Sequence, residues 1–432
     1  MQTFKKSSCR TRLAAMIGCL IVAATLSFCP ALMAQSSDNQ ISSLFNKICS
    51  EVKSEFAPDS RDKTFEASLK MTDGKLAIVG STTESAAKNA LISRLKQAGI
   101  TAADKMELLP SSSLKGKEYG VVVMSTASFN SEPNFSAESG TQALMGMPVR
   151  ILEEKGGWYR CINMEGYTAW VITRSIKAMQ KSEWEEYLKK PKIIVNTLYS
   201  TLYSDMDKSS MPVSDLVWGD ILIAHAGTKE GNWIKASVAD GREGYLPAED
   251  AENLNSWIKR ASPTESNIIE TAKKFCGFPY VWGGTSVKGV DCSGLTKSVY
   301  FLNGYVLRRD ASQQCKTGDS VDVHKYVNGE HTLKSLENLR IGDLIFFGTK
   351  AENGKRERVT HVAIYMGEGK IIHSSNIVRI NSLIPGSKDY YTTAGRMLKA
   401  RRIIGTADKG KGVVSVKQIG LTAPNALDAP LK

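Results

Sequence analysis

Tyr280-Val281-Trp282-Gly283-Gly284, followed by Asp291-Cys292-Ser293-Gly294-Leu295, decides how the rest of the chain is read. A glycine-rich loop runs into a cysteine that opens a helical pattern. Leu295, Val299 and Leu302 recur at helical spacing, and Asp291 stands where an N-cap belongs. Cys292 then sits in the first turn, where unpaired N–H groups and the positive dipole end favour a thiolate, the reactive form. Gly283, Gly284 and Gly294 leave room for close backbone approach and for a substrate carbonyl.

Two of the five histidines follow, His361 in Thr360-His361-Val362-Ala363-Ile364-Tyr365 and His373 in Lys370-Ile371-Ile372-His373-Ser374. They flank Gly367-Glu368-Gly369, a turn signal between two apolar runs. Opposed residues of this hairpin have numbers summing to roughly 736, so His373 faces Ala363, a diagonal neighbour of His361. Both rings then share one face. The pattern predicts Cys292 as nucleophile, His361 as its base and His373 as the group that orients the base. The plain alternative is a buried, inert thiol. A zinc site would want more thiols or carboxylates at tight spacing, so neither a metal nor an organic cofactor is expected.

Together with Gly342-Asp343-Leu344-Ile345-Phe346-Phe347, these motifs resemble the NlpC family of cell-wall cysteine endopeptidases over about residues 262–405. The resemblance implies a papain-like fold, a Cys-His-His triad of Cys292, His361 and His373, and cleavage after γ-D-glutamyl in peptidoglycan stem peptides. It implies that Tyr280 lies near the oxyanion site. Trp282 is expected to line the substrate site. Asp291 and Ser293 are expected to contact the γ-D-Glu carboxylate or substrate backbone, and Ser312 the diamino-acid subsite. Some relatives with fused SH3-like domains hold a free L-alanine ammonium with a glutamate and a tyrosine of the first barrel. The matching positions are Glu138 and Tyr167.

The chain has 432 residues, enough for two to four domains. Lys5, Lys6, Arg10 and Arg12 precede an apolar run from Leu13 to Cys29 and small residues ending at Ala34, which reads as an export signal over residues 1–34. A membrane anchor is the alternative. Its loss takes four cations and no acid, so a net charge of +12 less four leaves +8. No basic cluster with interleaved aromatics suggests nucleic acid. Of eight cysteines, three leave with the signal, and the odd five that remain fit one free reactive thiol in an oxidising compartment.

Residues 40–110 read as a small α+β unit around an Asp73-Gly74 turn, with a helix over 85–98 and no evident chemistry. Short β runs over 112–180 and again over 192–255 read as two small SH3-like barrels. Both run in the order Gly/Pro, Gly-x-Trp, Gly-Tyr, which suggests an internal duplication. A helical linker over 182–190 joins them. A helix from Thr264 to Cys276, capped by Ser262, opens the catalytic segment, and the Gly- and Lys-rich stretch 406–432 reads as a mobile tail.

The expected architecture is therefore α+β: a papain-like catalytic domain preceded by two SH3-like β-barrels and a small α+β unit. The expected protein is a monomer in the periplasm or cell envelope, with no membrane-spanning segment after signal removal. It would hydrolyse the γ-D-Glu–diamino acid bond of L-Ala-γ-D-Glu-diamino acid peptides. The alternative is the same cut on intact peptidoglycan, with the barrels as wall-binding modules.

Overall fold

A computed structural model of the protein describes residues 30–323, 332, 334–351, 356–419 and 421. Most of the expected export segment lies outside the described residues, and a helix, Pro30–Phe56, begins within it. Among the described residues no helix is long and apolar enough to cross a membrane.

Phe45, Ile48 and Val52 of that first helix pack with Leu91 and Leu95 of the helix Ser85–Gln97 against a three-stranded sheet. The hairpin Phe65–Thr72/Lys75–Thr82 turns on Asp73 and Gly74, with φ of 51° and 72°. That pair of left-handed residues is what a tight two-residue hairpin demands. The third strand, Ala103–Leu108, runs parallel to the second after the intervening helix.

Two seven-stranded sheets follow, one over Tyr119–Met179 and one over Lys192–Asn253. Numbered one to seven along the chain, the strands of both sheets hydrogen-bond in the order 7-1-4-5-6-2-3. The repeated sequence pattern thus corresponds to one repeated topology. The helix Lys181–Lys189 joins the two sheets. Asp220, fully buried, accepts the N–H of Met145 in the first sheet (3.0 Å) and of Val217 in its own (2.8 Å). It thereby ties one sheet to the other.

The segment expected to be catalytic is an antiparallel six-stranded sheet with the helix Cys292–Leu302 across one face. Leu295 and Val299 of the helix join Leu344, Phe346, Val362 and Ile364 of the sheet in one core. Thr264 caps the preceding helix, Glu265–Lys273, by accepting Asn267 N–H at 3.2 Å. Ser262, expected as the cap, lies one proline upstream of it. Part of the stretch expected as a mobile tail is packed against the rest of the protein. Val414–Ser415 pairs with Tyr305–Val306, and Val413, Val416, Ile419 and Leu421 are buried in the same core as the catalytic helix. Apolar residues three apart among glycines and lysines give no helical or strand period, yet they bury enough surface to dock the segment.

One buried ion pair crosses from the first barrel to the catalytic helix. Glu165, 1% exposed, pairs with Lys297, 7% exposed. Removing one partner strands a charge in the interior, which costs ~3–5 kcal/mol, whereas replacing both by apolar groups is far milder. Lys297→Met should therefore lower the melting temperature markedly. The double change Lys297→Met/Glu165→Leu should recover most of the loss, as read by calorimetry of the four-protein cycle.

Candidate active site

Asp291 caps the helix Cys292–Leu302 by accepting the N–H of Gly294 at 2.7 Å. The same carboxylate accepts the N–H of Gly283 at 3.0 Å, which holds the glycine loop against the helix start. A Cβ on Gly294 would lie 1.9 Å from the Gly284 carbonyl oxygen, so only glycine permits this approach. Cys292 is left at the first helical position, 7% exposed. The backbone N–H groups of Val362 and Ser293 point at its sulfur.

The histidine hairpin pairs Ile364 with Ile372 and Tyr365 with Ile371, the register expected from the turn. His361 Nε2 lies 2.7 Å from His373 Nδ1, and His373 Nε2 lies 2.9 Å from Asn381 Oδ1. Asn381 Nδ2 donates to the Asp389 carbonyl at 2.8 Å, so its Oδ1 must face the histidine. Hydrogen-bond complementarity then assigns every proton. His373 carries one on Nε2 and accepts at Nδ1, His361 donates from Nε2, and His361 Nδ1 keeps a lone pair. Tyr391 packs edge-on against His373, ring centres 4.7 Å apart.

Cys292 lies in the wall of a cleft of about 720 Å³ that also takes in Glu138, Tyr167, Tyr280, Trp282, Asp291, Ser293 and Ser312. His361 is not in that wall, but its neighbour Thr360 is. Trp282, 63% exposed, donates its Nε1–H to Glu138 at 2.7 Å. Gly283 reaches Ser139 so closely that a Cβ there would stand 2.4 Å from its carbonyl oxygen. The first barrel thus forms one end of the cleft.

Residues 277–396 match the NlpC/P60 family, and residues 131–176 match the bacterial dipeptidyl-peptidase SH3 domain. The chain is 30% identical over 272 residues to a γ-D-glutamyl-L-lysine dipeptidyl-peptidase of Bacillus cereus, spanning 60% of this chain and 75% of that one. The chain belongs to the NlpC/P60 family. It is also 28% identical over 281 residues to dipeptidyl-peptidase 6 of Lysinibacillus sphaericus, spanning 61% and 91% of the two chains. The crystal structure of an NlpC/P60 family protein from Bacillus cereus shares its fold at a TM-score of 0.54 and 24% identity, covering 66% of this chain and 99% of that one.

Several polar groups of this NlpC/P60 site escaped the sequence reading. Arg309, 1% exposed, forks onto Asp291 at 2.6 and 3.2 Å and donates to Ser293 Oγ at 2.9 Å. Asp291 and Ser293, expected to touch substrate, therefore spend most of their polar capacity inside the protein. Arg61, from the unit thought to hold no chemistry, enters the cleft. It donates to Asp310 at 2.7 Å and to Ser312 Oγ at 3.0 Å, while Asp59 takes its other edge at 2.7 and 2.8 Å. Asn381 extends the histidine chain by one residue. Its only sequence signal was a lone amide in the mixed strand Ile377–Ser382. Among the described residues no three His, Cys, Asp or Glu side chains converge as metal ligands.

Burial opposes charge on both groups. It pushes the Cys292 thiol up to about 12, and Asp291 adds to that, outweighing the N–H groups of Val362 and Ser293 and the cation of Arg309. Burial pulls the His361 imidazole down to about 3, with His373 adding to it. Both shifts work against the thiolate expected from the helix start. Alkylation of Cys292 by iodoacetamide should accelerate about tenfold per pH unit from pH 7 to 9, because thiolate is scarce throughout that window. Peptide-resolved mass spectrometry separates this from the exposed Cys276. A rate already flat by pH 7 would mean a preformed thiolate–imidazolium pair.

Proposed function

We propose that this NlpC/P60 protein is an exported cysteine peptidase of the periplasm or cell envelope. It hydrolyses the γ-D-Glu–diamino acid bond of peptidoglycan-derived peptides that carry a free N-terminal L-Ala. The observation that carries the reading is the shared cleft, in which Cys292 and the barrel pair Glu138 and Tyr167 face one space. The names of the relatives, dipeptidyl-peptidases, point the same way.

The mechanism follows from the proton assignment. The lone pair on His361 Nδ1 takes the thiol proton as sulfur attacks the glutamyl carbonyl. His373, fixed by Asn381, holds the His361 ring and its tautomer and spreads the charge that develops on it. Tyr280, beside the thiol, offers a hydroxyl to the tetrahedral oxyanion. The imidazolium then protonates the departing amine, and water releases the dipeptide from the thioester. At the barrel end, one oxygen of Glu138 takes the Trp282 N–H, while its other oxygen has no partner among the described residues and is free for an ammonium group. Tyr167 stands alongside, its hydroxyl against Gly140.

Cys292→Ala should abolish hydrolysis by at least on the order of 10³-fold while the fold persists, because the covalent route is gone. Near-normal turnover by the folded variant, measured by product chromatography, would remove Cys292 from the mechanism.

Glu138 is exposed rather than buried, which weakens the ammonium selection below that of a desolvated carboxylate. Free L-Ala-γ-D-Glu-diaminopimelate should be cut roughly 3- to 30-fold faster in kcat/KM than its N-acetylated form, and Glu138→Ala should erase most of that ratio. Equal rates on both peptides, with activity on whole sacculi, would favour cleavage of intact wall.

A further inference from the structure

Residues 59–62 belong to the N-terminal unit, yet they are bonded both to the first barrel and to the NlpC/P60 segment. The Arg61 carbonyl accepts the N–H of Thr168 in the barrel at 2.7 Å. The Arg61 guanidinium donates to Asp310 at 2.7 Å and to Ser312 Oγ at 3.0 Å. Asp62 accepts from the Gln313 amide at 3.0 Å and pairs with Arg308. Asp59 takes the other edge of the guanidinium and also accepts the Arg61 backbone N–H at 3.0 Å. A planar guanidinium tied along two edges cannot swing aside without breaking several charge-assisted bonds at once.

Arg61, Gly140 and Tyr167 line the cleft that holds Cys292, and the same three residues line a second cavity of about 230 Å³. They are therefore the partition between the two spaces. Gly140 and Tyr167 close on each other, since a Cβ on Gly140 would stand 2.6 Å from the Tyr167 hydroxyl oxygen. Arg61 is the remaining piece. The charges of Asp310, Arg61 and Glu138 all act on the Tyr167 hydroxyl, which puts Arg61 at the same end of the cleft as Glu138. Asp59 and Asp310 both pair with it, so it brings no net positive charge there. What it brings is volume.

We infer that Arg61 is a specificity-determining residue. Its side chain ends the cleft beside Tyr167 and limits the size of any group carried on the amino nitrogen of the peptide. This rests on the reaction proposed above, in which Glu138 and Tyr167 hold that nitrogen. An N-acylated peptide then meets two separate penalties. Loss of the ammonium charge is set by Glu138, and loss of room is set by Arg61.

The test uses L-Ala-γ-D-Glu-diaminopimelate with N-formyl, N-acetyl and N-hexanoyl groups, which all lack the ammonium and differ in size. With wild type, kcat/KM should fall along the series, by roughly 10- to 100-fold from formyl to hexanoyl, because a packed wall yields little to an oversized group. Arg61→Ala joins the two cavities, and its absolute kcat/KM on the N-hexanoyl peptide should rise roughly 3- to 30-fold above that of wild type. General damage to the fold cannot produce such a gain. Arg61→Met, which keeps most of the bulk without the charge, should retain the wild-type size dependence. Asp59→Ala frees one edge of the guanidinium and should give a smaller gain in the same direction, which keeps the test open if Arg61→Ala is not recovered folded. A flat series with wild type, or a series that neither Arg61→Ala nor Asp59→Ala alters, overturns the inference while cleavage of the free peptide leaves the reaction intact. If the free peptide is not hydrolysed, the reaction itself is wrong and the inference falls with it.

Discussion

The carboxylate of Asp291 is the joint on which the site turns. It is nearly fully buried and accepts from Gly283, Gly294, Ser293 and both terminal nitrogens of Arg309. A buried carboxylate survives only with such a set of donors, since the desolvation of one bare charge far exceeds any single hydrogen bond. Through it the glycine loop, the helix that starts at Cys292 and the segment leading to Ser312 share one anchor. Arg309 also lies within 3.8 Å of Asp310, which Arg61 grips from the N-terminal unit. Three parts of the chain far apart in sequence are thus brought into register around one thiol.

The barrels are held to the catalytic segment by the same kind of constraint. Glu165 and Lys297 form a pair with almost no access to water, two residues from Tyr167 on one side and five from Cys292 on the other. Thr285 N–H donates to Gln142 Oε1 at 3.0 Å, and Thr285 Oγ1 donates to the Gln142 carbonyl at 3.1 Å. An ion pair buried at a domain junction adds little net stability, but it penalises misalignment, because a shift of a few ångströms strands both charges. A barrel merely tethered beside an enzyme needs no such contact.

What the sequence disclosed and what it withheld divide along the range of the interactions. The hairpin register of His361 and His373 was legible because the strands are local and the pleat has a strict period of two. The helix start at Cys292 was legible because caps are local as well. Arg61, 231 residues before Cys292, carries no local signal, and its partners Asp310 and Ser312 are set only by tertiary packing. Asn381 looked like any strand amide. The buried segment around Val413 and Val416 failed for a related reason: its apolar residues are spaced for packing against a finished surface, not for any regular element of their own. The upward push on the Cys292 thiol was not legible because the helix dipole is a local, readable effect, whereas desolvation depends on everything packed around the sulfur.

That last point bears on how the proposed reaction can run. Among the described residues the histidine chain passes to the amide of Asn381 and not to a carboxylate, so no hydrogen-bonded anion draws a proton onto the imidazoles. With the thiol pushed up to about 12 and His361 pulled down to about 3, moving a proton between them before attack is strongly uphill. In the proposed reaction proton transfer accompanies C–S bond formation, as negative charge passes from sulfur to the carbonyl oxygen. A thiol held away from its thiolate form is less readily oxidised, which agrees with the export proposed above. The nucleophile becomes active only where a substrate carbonyl is available to take up the charge.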